Sequence, residues 1–345
     1  MTRALYLVLA ASLILAAQQT ASSPQVSGPP SGSNQRPFRV QVNEVIVAVT
    51  VTDEKGRFVS NLDRSDFKVY EDNKEQQIQY FSREREQPVV IGFLIDISNA
   101  SRLHWKTYLE AAEELVFTLL KGDPKYSGYL IAYGNEAELL VNTTTDSEKI
   151  ISRLRKLKPG GGAALFDAIY KACTSRALVK GEPIEPRRIL IIIGDGHDSA
   201  SHKSLEEVLE IAQRQLVTIY GVSTTAFGFT SEGEKNLSRL AEETGGRVEY
   251  PLQNVYKDVS GYLETPSDEG NYALKVGTGG YASALAQGIF RAIANVVGEV
   301  TTQYIIRYVP AADAADKAFR SIRVEVPGLP GVKVRARKGY YPGSP

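Results

Sequence analysis

Residues 89–101 read VVIGFLIDISNAS. From Val89 to Ile95 no polar side chain interrupts the run, and then Asp96 and Ser98 follow. A strand with one wet face alternates apolar and polar residues. A continuous apolar run marks a strand covered on both faces, the situation of a parallel sheet between two helical layers. The same pattern returns at ILIIIGD, residues 189–195, and at VTIYGVS, residues 217–223. Between these runs the period changes. Leu109, Ala112, Leu115, Val116 and Leu119 recur at helical spacing, as do the apolar positions of SEKIISRLRKL, AALFDAIYKAC, LEEVLEIAQRQ and EKNLSRLAEETGG. GYLIAYG and AELLVNT read as two strands joined tightly at Gly134-Asn135. Buried strands alternating with amphipathic helices predict an α/β fold with a doubly wound, mostly parallel sheet over residues 88–300.

The flanks have a different style. In 38–87, FRVQVNEVIVAVTVTDEKGRFV places Val45, Val47, Val49 and Val51 on one side, with turn signals at Asp53–Gly56 and Asp72-Asn73. Three or four strands are predicted there. Leu285, Ile289, Ile293, Val296, Val297 and Val300 mark a long helix, after which residues 301–345 return to alternation in TTQYIIRYVP, FRSIRVEVP and VKVRARKGYY. The two β-rich flanks are expected to pack together as an all-β unit beside the sheet domain. Ahead of them, residues 1–17 combine Arg3, an apolar stretch and Ala16-Ala17, the pattern of a signal peptide. Residues 18–37, rich in Ser, Pro, Gly and Gln, read as a flexible linker. The expectation is a secreted or periplasmic protein that meets a membrane only through an uncleaved signal segment.

Lys plus Arg and Asp plus Glu number 40 each, a balance that gives no sign of nucleic-acid binding. Cys173 is the only cysteine, so an intramolecular disulfide is excluded. Its spacing from Leu165 and Ile169 puts it on a buried helix face, an inert thiol. Neither a phosphate loop, a GxSxG elbow nor an HExxH motif occurs. KVGTGGYASALA has Ala282 where a dinucleotide fingerprint needs its last glycine, and reads as a loop opening the long helix. His197 and His202 lie in a polar stretch and read as surface residues.

In open α/β sheets ligands bind beyond the carboxyl ends of the strands. Two of the buried runs end there on acids, Asp96 and Asp195, and the loop KPGGGAALFDA brings Gly160, Gly161 and Gly162 to the same edge as a helix opening with bare amides. With PVVIGFLIDISNAS, KPGGGAALFDAI, ILIIIGDGHD, LAEETGGRVE, QYIIRYVP and the terminal RARKGYY, the chain resembles the bacterial von Willebrand factor type A-related family named from acidobacteria. That resemblance implies a metal-ion-dependent adhesion site with the motif Asp-x-Ser-x-Ser, a threonine in a glycine-rich loop and a later aspartate. Asp96, Ser98 and Asp195 match it, while Ala100 and Ala163 stand where the second serine and the threonine belong. Two readings stay open. In one, Asp96, Ser98 and Asp195 hold Mg²⁺ weakly, with Ser101, Asp198 or His197 leaning in. In the other, the site is degenerate: Asp96 caps a helix, Ser98 satisfies loop amides and Asp195 fixes a turn. The expected function is a non-enzymatic interaction or adhesion module. It binds a protein or cell-envelope component around Asp96, Ser98, Ser101, Gly161, Gly162 and Asp195. A metal-dependent hydrolase or nucleotide-binding enzyme using the same crevice is the alternative.

Overall fold

The structure is a computed structural model and describes residues 44–83, 88–102, 105–175, 186–225, 231–251, 278–310 and 317–342. The predicted signal and linker lie outside them. Residues Val42–Pro345 form one compact unit. In chain order its strands are β1 (Val45–Thr52), β2 (Lys68–Glu71), β3 (Lys74–Gln76), β4 (Tyr80–Ser82), β5 (Val89–Asp96), β6 (Tyr126–Tyr133), β7 (Ala137–Thr144), β8 (Arg187–Gly194), β9 (Thr218–Ser223), β10 (Val248–Glu249), β11 (Tyr304–Tyr308), β12 (Arg320–Glu325), β13 (Lys333–Arg335) and β14 (Gly339–Tyr340). The helices are α1 (Trp105–Leu119), α2 (Ser147–Leu154), α3 (Leu165–Thr174), α4 (Leu205–Arg214), α5 (Glu232–Thr244) and α6 (Thr278–Thr302).

The central sheet runs β10-β9-β8-β5-β6-β7, parallel except for the edge strand β7. Every residue of β5 is buried, as its unbroken apolar run requires. Successive side chains alternate between two cores. Ile91, Phe93 and Ile95 pack with Tyr108 and Leu115 of α1, Ile150 of α2, and Ile289 and Val296 of α6. Val90 and Leu94 point the other way, into Leu165 and Ile169 of α3, Val208 of α4 and Leu237 of α5. Each such aliphatic side chain contributes roughly 1.5–3 kcal/mol by leaving water, so helices on both faces are what make this strand sequence stable.

The predicted all-β unit is two antiparallel sheets, β13-β1-β11-β4 and β14-β12-β2-β3. Val47, Val49, Val69, Ile306, Tyr308 and Ile322 share the core between them. Strands from before and after the central sheet interleave: β1 pairs with both β11 and β13, and β2 with β12. Two boundaries shift. Thr301 and Thr302, read as strand, complete α6, because its buried stripe continues to Val300. Gly279 and Gly280, read as loop, lie in the first turn of α6. Gly277 falls outside the described residues.

Candidate functional site

From β5 the chain winds to β6 and β7 on one side, then returns to β8, β9 and β10 on the other. The winding direction therefore reverses between β5 and β8, and a crevice opens at their carboxyl ends. The two strands are in register up to Ile95 and Ile193, so Asp96 and Asp195 emerge on one rim. Asp96 is 2% exposed. Its Oδ1 accepts the Ser98 amide at 2.7 Å, while its buried Oδ2 has no hydrogen-bond partner. The Ser98 hydroxyl accepts the Ala100 amide at 3.3 Å. Ser101 sits in the short 3-10 turn Asn99–Arg102. Its buried hydroxyl faces Asp96 and completes no hydrogen bond of normal geometry. Asp195, partly exposed, accepts the His197 amide on Oδ1 at 2.9 Å.

Two further groups belong to this rim. Tyr133, the last residue of β6, is fully buried and its hydroxyl is unpartnered. A Cβ on Gly194 would lie 2.2 Å from that hydroxyl and 3.3 Å from Asp96 Oδ2, so both oxygens converge over one glycine. Glu234, in the first turn of α5, is 4% exposed, and its Oε1 is also unpartnered. It is carried to the rim by a close approach of backbones. A Cβ on Gly233 would meet the Asp195 carbonyl oxygen at 2.8 Å, and one on Gly196 would meet the Gly233 carbonyl oxygen at 2.1 Å. Sequence reading missed both residues. Tyr133 looked like strand core, and Glu234 like the polar face of a helix. The signals were a tyrosine closing the strand next to the Asp96 strand, and the capping spacing of Ser231 and Glu234.

The electrostatics agree with this grouping. Burial pushes the Asp96 carboxyl above its ordinary pKa, and the Asp195 charge adds to the effect; the amide and hydroxyl of Ser98 and the hydroxyl of Ser101 oppose it. Glu234 is raised chiefly by burial, opposed by its Ser231 hydrogen bond, with Asp195 again raising it. Burial drives the Tyr133 phenol far up, and the charges of Asp96, Asp195 and Asp198 push the same way.

The glycine loop departs from expectation. Its amides are not bare: Gly160 donates to the Ile97 carbonyl and Gly162 to Asn135 Oδ1, each at 2.6 Å. Gly161, at φ +89°, accepts the Asn99 amide on its carbonyl. Helix α3 starts only at Leu165, and Asp198 serves its first turn by accepting the Phe166 amide at 2.9 Å. Asp198 therefore has a structural task, and so does His202, whose Nδ1 lies 3.0 Å from Asp167. His197 is exposed. Cys173 is partly buried among apolar neighbours, and burial pushes its thiol up to about 12.

A wound α/β sheet with its crevice at the strand ends is the architecture of several binding and catalytic families. Here the comparison is specific: residues 91–259 match the family model of the von Willebrand factor type A domain, and the protein carries such a domain. No curated protein matches the chain. Among solved structures, the chain is similar to the SpRpn10 VWA domain, at 18% identity over 44% of this chain and 82% of that one, with a TM-score of 0.35. It is also similar to the vWF domain of the type V pili tip protein Mfa5 from Porphyromonas gingivalis, at 19% identity over 32% of this chain and 39% of that one, with a TM-score of 0.29. An aerotolerance-related membrane protein from Bacteroides fragilis matches at 18% identity over 56% of this chain and 99% of that one, with a TM-score of 0.37.

The divalent ion that such domains commonly carry is poorly served here. Mg²⁺ demands near-octahedral oxygen ligands. Ala100 and Ala163 offer no side-chain oxygen, and Ser98 Oγ, Asp96 Oδ1 and Asp195 Oδ1 already accept backbone amides. The hydroxyl ligands of a complete adhesion site are therefore two short.

Proposed function

We propose that the protein is an exported, non-enzymatic interaction module whose type A domain docks a partner at the strand-end crevice without a tightly held metal. One observation carries this reading. The buried oxygens of Asp96, Ser101 and Tyr133 are left without partners at the switch point of the sheet. A buried polar atom left unpaired costs about 1–3 kcal/mol, a cost that a docking group relieves. Ordinary turn roles account for Asp96 Oδ1, Ser98 and Asp195 Oδ1, but not for these three atoms. Support for a binding rather than catalytic role comes from the two described histidines. His202 is engaged by Asp167 and His197 stays in solvent, so neither pairs with a rim hydroxyl as a general base. The signal-like residues 1–17 support export, and among the described residues no helix is long and apolar enough to cross a membrane.

Site-specific photocrosslinking tests the reading. A crosslinker at Asn99, exposed at the rim, is expected to trap a discrete partner from the exporting cell's envelope fraction, with or without EDTA. The same probe at Glu148 is expected to trap none. Glu148 begins α2 after β7 has run antiparallel to the far rim, where Thr144 pairs with Gly128. Crosslinks confined to Glu148, or abolished by EDTA, would refute it.

A further inference from the structure

The unpartnered atoms at the rim share one chemical preference. Asp96 Oδ2 and Glu234 Oε1 are carboxylate oxygens, and the Ser101 and Tyr133 oxygens accept as readily as they donate. The charge of Asp195 acts on both buried acids. Among the described residues no lysine or arginine forms an ion pair with Asp96, Asp195 or Glu234. Arg102, over Gly160, forms none either. Like charges gathered in a partly dry site repel one another unless a cation or protons intervene. Two of the hydroxyl ligands a divalent ion would use are absent, with Ala100 and Ala163 in their place. A guanidinium has no octahedral requirement: it is planar, carries five N–H donors, and is more weakly hydrated than an ammonium.

We propose that this rim takes a basic side chain of the docking partner, a guanidinium in first place, with the partly exposed Asp195 meeting it first and the buried oxygens of Asp96, Tyr133 and Glu234 behind. The proposal rests on the docking reading and deepens it, because it assigns the partner a charge. In a metal-dependent adhesion site the partner supplies a carboxylate to the ion. Here the exchange of two hydroxyl ligands for Ala100 and Ala163 leaves the acids in place without the ion, and the preferred partner charge reverses.

Calorimetric titration of residues 18–345, the chain without its predicted signal segment, with short blocked peptides decides the matter. The peptides are glycine pentamers with a central arginine, lysine, glycine or glutamate, run at low ionic strength with magnesium or with EDTA. The arginine peptide is expected to bind about tenfold more tightly than the glycine or glutamate peptide in either condition, and to weaken as salt is added. Asp195→Asn and Glu234→Gln are each expected to weaken it severalfold. Glu148→Gln, which removes an acid at the opposite rim, is expected to leave it unchanged. Because Asp195 is partly exposed, its variant is expected to stay folded, and thermal melting checks this. Preferential binding of the glutamate peptide in magnesium would overturn the proposal in favour of a metal bridge. Arginine-peptide binding indifferent to Asp195→Asn would overturn it as mere surface charge. The two readings fail separately. Rim crosslinks that arginine peptide does not compete away leave docking intact and sink the basic side chain. Arginine binding without rim crosslinks does the reverse.

Discussion

Asp96 is a carboxylate kept almost entirely from water, with one oxygen tied to the Ser98 amide and the other facing unpartnered hydroxyls. Burial raises its folded-state pKa above the model-peptide value of 3.8. A raised carboxyl means that the folded protein binds the proton more tightly than the unfolded chain. Ionisation therefore penalises the fold fully above the raised pKa, and the penalty disappears as pH falls through that value towards 3.8. Asp96→Asn keeps an oxygen for the Ser98 amide and removes the charge. It is expected to raise the thermal midpoint at neutral pH while weakening partner binding, with the stability gain shrinking on acidification; melting curves across pH check this. An acid that costs stability in place is the pattern of a site kept for use. The strand-end positions of Asp96 and Asp195 were legible in the sequence because an apolar run that stops on an acid announces a strand end. Tyr133 and Glu234 were not. Their place at the rim depends on which strand lies beside which, and on a glycine contact between segments far apart in the chain.

At the scale of elements, the stretch Asp198–Ser201 after β8 organises its surroundings. Asp198 accepts the Phe166 amide and the Ser201 hydroxyl, and Ser199 Oγ accepts the Ala163 amide, so this stretch caps α3 from a distance. The helix has Ala164 at its own cap position, with no side chain able to serve. Local reading expects a cap from the residue just before a helix and had no means of seeing one supplied by another loop. Asp198→Ala is expected to destabilise the domain by about 1–2 kcal/mol, the range for a lost helix cap, as measured by denaturant unfolding. The wound sheet itself was readable, because β5, β8 and β9 each present a continuous apolar run and the helices between them a clear period. The end of α6 was misread because Thr301 and Thr302 favour strands, yet their hydroxyls bond back to carbonyls of the preceding helical turn.

At the scale of the molecule, the type A domain and the β-sandwich are joined by a buried polar node. Glu299 of α6 is fully buried. It pairs with Arg335 of β13 through two contacts of 3.0 Å and with Arg247, just before β10, at 2.9 Å. It also accepts the Thr50 hydroxyl of β1 at 3.2 Å. Removing one member of a buried charge cluster strands the others, at a cost of roughly 3–5 kcal/mol; Arg335 and Arg247 are partly exposed, so the lower end applies here. Glu299→Ala is expected to lower stability by about 3 kcal/mol and to split unfolding into two transitions, one per layer system, visible by calorimetry. The β-strand content of both flanks was legible from alternation, but their interleaving rests on pairings across the whole chain, such as Val45 with Tyr308 and Thr50 with Arg335. That interleaving has a mechanical corollary. Tension applied between β1 and β14 would be carried by the sandwich ladders and their shared core, bypassing β5 and β8. A tether pulled through those strands would leave the rim unloaded until the sandwich itself gave way.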